Sequence, residues 1–317
     1  MSDDAKEPLT ADAAPLLDMP MRRAKRGRHG VFLYLKSDVH VGRSLDVYGE
    51  YSEGEIEIFR QLTPEGGVVV DVGANLGTHT VWFAKQVGPR GRVYAYEPQR
   101  LLFQTVCANV ALNDLNNVIA LPAAAGSAPG RGVMPEIDPT RPSNTGVLTL
   151  SAYAPGVAVE IIPIDQLGLT DLHFLKIDVE GMELETLKGA SYTLRYRRPT
   201  LYVENTTDRP GYTPEQSHEL VNFILDAGYR AYWHWPPVFN AANHYGEPRN
   251  IFGHQAEDGT VRPIISCNML CLPNEHTVKV ESLLPVERDD DPQAAFKRAA
   301  ERSSPEKPKK TRKKAAD

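Results

Sequence analysis

The chain has 317 residues, 41% of them apolar and 24% charged, which excludes collagen-like, coiled-coil and wholly disordered classes. Its net charge of −6 argues against a surface devoted to a nucleic acid backbone, so a nucleic acid partner is not expected. Three cysteines, an acidic N-terminus with no apolar leader, and no run of eighteen apolar residues together predict a soluble, cytoplasmic protein without a membrane span.

In chain order, residues 1–29 read as a disordered lead-in. It is Asp-, Ala- and Pro-rich before a basic cluster at Arg22, Arg23, Lys25, Arg26 and Arg28. A β-like run, Val31 to Leu35, opens the body at residue 30. Val68 to Val72 is a short apolar run bounded by glycines, as in a buried parallel strand. A helix should follow from about Leu76 to Val87, stopped by Gly88-Pro89, and Arg92 to Tyr96 is the next strand. Pro98 begins a helix with Leu102, Phe103, Val106 and Val110 at helical spacing and Asn113 at its end. Asn117 to Leu121 supplies a third strand, and the looser stretch to Pro163 holds a β excursion around Val147 to Leu150 and Val157 to Ile162.

The alternation resumes with a strand from His173 to Asp178, a helix from Met182 to Lys188 and a strand from Leu201 to Val203. Thr213-Pro-Glu-Gln216 has the composition of a capping box, and Leu220, Val221, Ile224 and Leu225 give its helix one apolar face. Tyr229 to Trp235 and Ile264 to Leu272 complete the strands. Residues 285–317 are charged, with an acidic knot at Asp289 to Asp291 and a basic end from Lys307 to Lys314, and read as a disordered tail. Strand-helix repetition over 30–284 predicts one α/β domain with a Rossmann-like doubly wound sheet.

The segment Asp71-Val-Gly-Ala-Asn-Leu-Gly77 lies where a strand turns into a helix. Gly73 and Gly77 let backbone approach a ligand, and the helix start favours a carboxylate or phosphate. Glu97, at the tip of the next strand, suits the two hydroxyls of a ribose. Asn75 stands where a pyrophosphate-binding turn carries glycine, which favours an adenosyl ligand without pyrophosphate over a nicotinamide dinucleotide.

Residues 49 to 189 resemble the FkbM family of S-adenosylmethionine-dependent methyltransferases. The resemblance is carried by Gly49-Glu-Tyr-Ser-Glu-Gly-Glu55, Val70-Asp-Val-Gly-Ala-Asn-Leu-Gly-Thr-His-Thr80, Tyr96-Glu-Pro98, Lys176-Ile-Asp-Val-Glu-Gly181 and Leu187-Lys-Gly-Ala190. It implies a class I methyltransferase sheet of about seven strands, the last antiparallel, and O-methylation of a sugar, glycan, polyketide or related hydroxyl. It implies further that the methionine end of the cofactor lies against Asp71, Gly73, Asn75, Gly77 and Thr78, with the ribose on Glu97. The family's Ser-Asp pair near the adenine is matched here only by Gly126-Ser127, so Ser127 is the expected adenine contact.

In such a sheet the ligand crevice opens between the first and fourth strands, where strand order reverses. Asp178 ends the fourth strand, Glu180 follows it, and Glu204-Asn205 end the fifth, so the four are expected to converge on one rim as the catalytic set. Two chemistries fit that rim. Asp178 or Glu180 can act as general base, or Asp178, Glu204 and Asn205 can bind Mg²⁺ by analogy with catechol-type O-methyltransferases. Glu180 can equally be a helix-start acid; Glu183 and Glu185 are expected to face solvent, and His79 to be a cap-region histidine. The competing functions are an RNA methyltransferase recruited by the basic tail and a nicotinamide-dependent oxidoreductase.

Overall fold

The computed structural model describes residues 11–303 apart from 149, 151–154, 208–210 and 256–260. Its centre is an eight-stranded sheet. The first core strand, β4 (Val68–Val72), pairs in parallel with β5 (Arg92–Tyr96) on one side and β10 (Phe174–Ile177) on the other. Beyond β5 lies β6 (Val118–Leu121), and beyond β10 lies β11 (Thr200–Glu204), both parallel. Next to β11 comes β15 (Asn268–Pro273), antiparallel to it and to β12 (Tyr229–His234), with the two-residue β16 (Leu284–Pro285) at the edge. The order β16-β12-β15-β11-β10-β4-β5-β6 is the class I methyltransferase sheet implied by the sequence resemblance, with one short strand added.

The continuous apolar run in β4 is explained by burial on both faces. Val70 and Val72 pack with Leu175, Ile177, Leu201 and Val203 under α5 (Glu183–Lys188), α6 (Ser191–Tyr196) and α7 (Pro214–Asp226). Val69 faces the other way, with Phe174, Tyr202 and Leu270, under α2 (Glu53–Leu62) and α3 (Thr78–Val87). Helix α4 (Arg100–Leu112) packs Val106 on Ala95 and Ala74. The expected start of α7 forms as read, Gln216 Oε1 accepting the Thr213 backbone N–H at 3.1 Å. The excursion is a small sheet of β7 (Ala123–Ala124), β8 (Gly130–Met134) and β9 (Val157–Ile161); Val147 and Leu148 are not strand, and residue 149 lies outside the described residues. Strands β13 (Gly253–Gln255) and β14 (Val261–Pro263) make a separate hairpin.

Both expected disordered ends are more ordered than composition suggested. From residue 15 the lead-in forms β1 (Pro15–Asp18) and β2 (Arg22–Gly27), antiparallel with β3 (Gly30–Leu35). Three of its basic residues, Arg23, Lys25 and Arg28, are paired with acids. Arg23 bridges Asp18 at 3.0 Å and Asp46 at 2.9 Å, and Lys25 reaches Asp46 at 3.0 Å, Asp46 being in α1 (Val41–Tyr48). At the other end, Asp291 of the acidic knot caps α8 (Pro292–Ser303), accepting the Gln293 and Ala294 amides at 2.7 and 3.0 Å. Asp290, 2% exposed, holds Arg298 at 2.5 Å and Trp233 Nε1 at 2.8 Å, while Phe296 stacks on Trp235. Charged residues thus found partners that periodicity does not reveal, and the folded unit runs past 30–284 at both ends. The expected basic end from Lys307 lies outside the described residues.

The N-terminal sheet is fastened by two amides one helical turn apart. Asn109 accepts the Leu33 N–H at 2.6 Å and donates to Leu33 O at 3.0 Å and Leu76 O at 2.7 Å, and Asn113 grips Val31 in the same way. Asn109→Ala leaves buried backbone groups unpaired and is expected to cost about 2–3 kcal/mol in urea unfolding. An unchanged midpoint would show that β3 is not tied to the core through this side chain.

Candidate active site

The strand-to-helix turn after β4 is shaped by close approach. Gly73 has φ +81°, and a Cβ there would lie 1.8 Å from the carbonyl oxygen of Asp178, so the ends of β4 and β10 can meet only without a side chain. The Gly73 and Ala74 amides donate to Tyr96 O at 3.1 and 2.9 Å, fixing the turn to β5. Asn75 also lies in the left-handed region, at φ +55°. Its N–H donates to Glu97 Oε2 at 2.8 Å, and the Gln99 N–H donates to Glu97 Oε1 at the same distance. Glu97 therefore clamps two loops, and each of its oxygens keeps a second lone pair. Burial pushes its carboxyl up to about 8, against the opposing pull of those two amides.

These groups border a cavity of about 240 Å³ at the carboxyl ends of the strands. Gly73, Asn75, Thr78 and Glu97 line it. Asp71 and Gly77 do not. Asp71 is fully buried behind the turn, accepting Thr80 Oγ1 at 2.6 Å and facing Lys176 Nζ at 3.4 Å, while Gly77 begins α3 against Val106. Ser127 is also off the wall: it is exposed and its hydroxyl donates to Glu185 at 2.6 Å. The wall beside Glu97 and Pro98 is apolar instead, made by Leu102, Ala124, Ala125 and Met134. Asn75 Oδ1 is buried with no hydrogen-bond partner among the described residues, an acceptor left open at the cavity wall.

Across the cavity, oxygens of Asp178, Glu180 and Glu204 lie within 4.8 Å of one another. Glu180 joins them through a left-handed turn, φ +53°, followed by Gly181 at +105°. Glu183, expected in solvent, is 2% exposed and accepts the Gly181 N–H at 2.9 Å, holding that turn. Asn205 does not join the rim. Consecutive strand-end residues point to opposite faces, and its side chain exchanges hydrogen bonds with Ser217 at 2.8 and 3.0 Å. The expected Asp178-Glu204-Asn205 ligand set is therefore not assembled. Burial, with Asp178 and Glu180 nearby, holds the Glu204 carboxyl well above its usual range.

Residues missed as site candidates complete the cavity. Lys176, 2% exposed, places Nζ 3.4 Å from both Asp71 and Asp178. Burial works against its charge, but Asp178, Asp71 and Glu55 outweigh that and raise its pKa. Glu55 from α2, His79 from α3, Ser266, and Asn268 at the start of β15 also line the cavity. A sequence signal existed for Glu55: it shares the buried face of α2 with Ile56 and Phe59, where an unpaired acid is not tolerated.

The family model for the methyltransferase FkbM domain matches residues 71–231, half of the chain. Methyltransferase sdnD of Sordaria araneosa is 27% identical over 160 residues, covering 40% of this chain and 61% of that protein. Hexuronic acid methyltransferase AglP of Haloferax volcanii is 27% identical over 165 residues, covering 51% and 64%. Among solved structures, methyltransferase FkbM from Methylobacillus flagellatus is 19% identical with a TM-score of 0.42, covering 65% of this chain and 44% of that one. The chain spans about 60% of the length of these two curated relatives. The turn at Gly73, the clamp at Glu97 and the strand order lie within or around the matched segment, and the chain belongs to the FkbM methyltransferase family.

Proposed function

We propose that this protein is an S-adenosylmethionine-dependent O-methyltransferase of the cytoplasm, acting on a hydroxyl of a sugar, glycan, polyketide or related small molecule. The observation that carries the reading is that one cavity joins the Gly73 turn and the Glu97 clamp to the Asp178, Glu180 and Glu204 rim. The open acceptor Asn75 Oδ1 and the bare Gly73 fit an adenosyl amino acid. Bound there, the cofactor would supply a methyl group on a sulfonium. The backbone near Asn75 and Thr78, at the positive end of α3, would hold its carboxylate; Glu97 would accept the ribose hydroxyls; and Leu102, Ala124, Ala125 and Met134 would cover the adenine. Asp178, Glu180 and Glu204 would receive and orient the acceptor hydroxyl, where positioning supplies much of the acceleration.

Membership of the FkbM family supports methyl transfer, and the name of AglP supports a sugar acid or related polyol as acceptor. Three free thiols, Cys107, Cys267 and Cys271, support the cytoplasmic setting. Among the described residues no helix is long and apolar enough to cross a membrane. Calorimetric titration separates this reading from the nicotinamide alternative. S-adenosylhomocysteine is expected to bind at one site per chain and NAD to give no heat; the reverse result would overturn the assignment.

A further inference from the structure

Building on that reading, we propose that Glu55 is the proton acceptor of the site and His79 its positioning partner: Glu55 takes the proton of the acceptor hydroxyl, and neutral His79 accepts a hydrogen bond from the protonated acid. Both side chains line the same cavity as Glu97 and Asp178 and are nearly buried, at 5% and 6% exposure. They come from α2 and α3, not from the strand ends that carry the carboxylate rim.

Glu55 is held for a task. Its Oε1 accepts Asn268 Nδ2 at 2.9 Å, and Ser266 also bonds to its carboxylate. Its Oε2 lies 3.5 Å from His79 Nε2, a buried nitrogen with no hydrogen-bond partner among the described residues. The imidazole is fixed edge-on against Phe59, with ring centres 5.3 Å apart, and tilted on Tyr51. A structural histidine normally satisfies its ring nitrogens; this one offers an open nitrogen to a carboxylate at a cavity wall.

The charged and titratable groups facing Glu55 are His79 on α3, Lys176 and Asp178 at the end of β10, Tyr51 ahead of α2 and Tyr202 on β11. Burial pushes the Glu55 carboxyl up to about 7, opposed by Lys176 and reinforced by Asp178. Burial, then Lys176, keeps the imidazole well below its usual range, so it stays neutral and can accept a hydrogen bond from Glu55 without taking its proton. A base is most effective when it titrates near working pH. Asp178 is a poorer choice, because Lys176 already sits 3.4 Å from it and 41% of its side chain is exposed.

In the step itself the acceptor O–H bond breaks and its proton passes to Glu55 Oε2. An oxygen lone pair forms the new O–C bond to the methyl group of S-adenosylmethionine, and the C–S bond breaks with its electrons left on sulfur, giving a neutral thioether. The proton stays on Glu55, whose O–H donates to His79 Nε2, and is lost to water as product leaves.

The test uses the full chain with ¹⁵N-histidine labelling and saturating S-adenosylhomocysteine. The His79 Nε2 resonance, reporting the proton on Glu55, should shift with a midpoint near pH 7 in the wild type, and Glu55→Gln, close to isosteric, should abolish that midpoint. Calorimetric affinity for S-adenosylhomocysteine should stay within threefold in the variant. With methyl hexosides and methyl hexuronosides as acceptors, thioether release by Glu55→Gln should fall about 100-fold, and His79→Gln should displace the acidic limb of the pH profile. A His79 Nε2 resonance that does not move near pH 7 in the wild type, one that moves unchanged in Glu55→Gln, or variant turnover within threefold of wild type would each overturn the pair. Wild type that binds no S-adenosylhomocysteine would instead overturn the methyl-transfer reading and this proposal with it.

Discussion

Glu97→Ala is expected to weaken S-adenosylhomocysteine binding about 100-fold or more. A buried carboxylate that accepts a ribose hydroxyl makes a charge-assisted bond worth about 1.5–3 kcal/mol, and two hydroxyls on one acid roughly double that. Alanine also releases the Asn75 and Gln99 amides, each bonded to Glu97 at 2.8 Å, so the turn that would hold the methionine end loses its anchor to the end of β5. Glu97→Gln is the informative companion. Its single carbonyl oxygen can accept one of the two amides, while its NH₂ is set against the other. It should bind about tenfold more weakly than wild type and tenfold more tightly than the alanine variant. Calorimetry reads both. A change below threefold in Glu97→Ala would remove the acid from any contact with the ligand.

The parallel centre of the sheet could be read from the sequence because strands such as β4 and β10 are apolar runs bounded by glycines or polar turns, whereas the two-residue β16 carries no such signal. The expected Val68–Val72 and Arg92–Tyr96 appear with those bounds. The turn and the clamp were legible for a related reason: glycine at a positive φ and an acid at a strand tip are local features of a single segment. The Glu55–His79 pair was not. Glu55 and His79 are 24 positions apart on two helices, and only the docking of α2 and α3 onto one sheet face brings them to 3.5 Å. Asn205 shows the converse. Adjacency to Glu204 suggested a shared role, yet strand alternation sends the two to opposite faces. The ends misled through charge: Asp291 reads as a solvated acid in sequence but caps a helix, and Arg23 reads as a tail cation but is paired to Asp46.

The buried acids make the ligand-free protein lose stability as pH rises above neutrality. Burial raises Glu97 from an ordinary 4.5 to about 8 and Glu55 to about 7, and raises Glu204 with the same sign. Each keeps its proton when folded at a pH where the unfolded chain has released it. The stabilisation is therefore complete below about 4.5 and disappears as pH passes the folded value, at about 1.4 kcal/mol per pH unit per acid. Histidines act in the opposite direction at lower pH. His79 and His40 are lowered and His234 is pushed down to about 4, all by burial, so between pH 4 and 6.5 folding gains stability as the unfolded imidazoles lose their protons. The two trends oppose each other below 6.5, and above it the acids act alone. Between pH 6.5 and 8, Glu97 by itself should remove about 2 kcal/mol, seen as a falling Tm by calorimetry. Glu97→Gln, which cannot titrate, should decline less steeply over that interval. Saturating S-adenosylhomocysteine should flatten the wild-type decline, since ribose hydroxyls donating to the carboxylate favour its ionised form and draw the folded pKa down. A Tm in the ligand-free wild type that holds level from pH 6.5 to 8, or a glutamine variant that falls as steeply as wild type, would contradict a protonated acid at the end of β5.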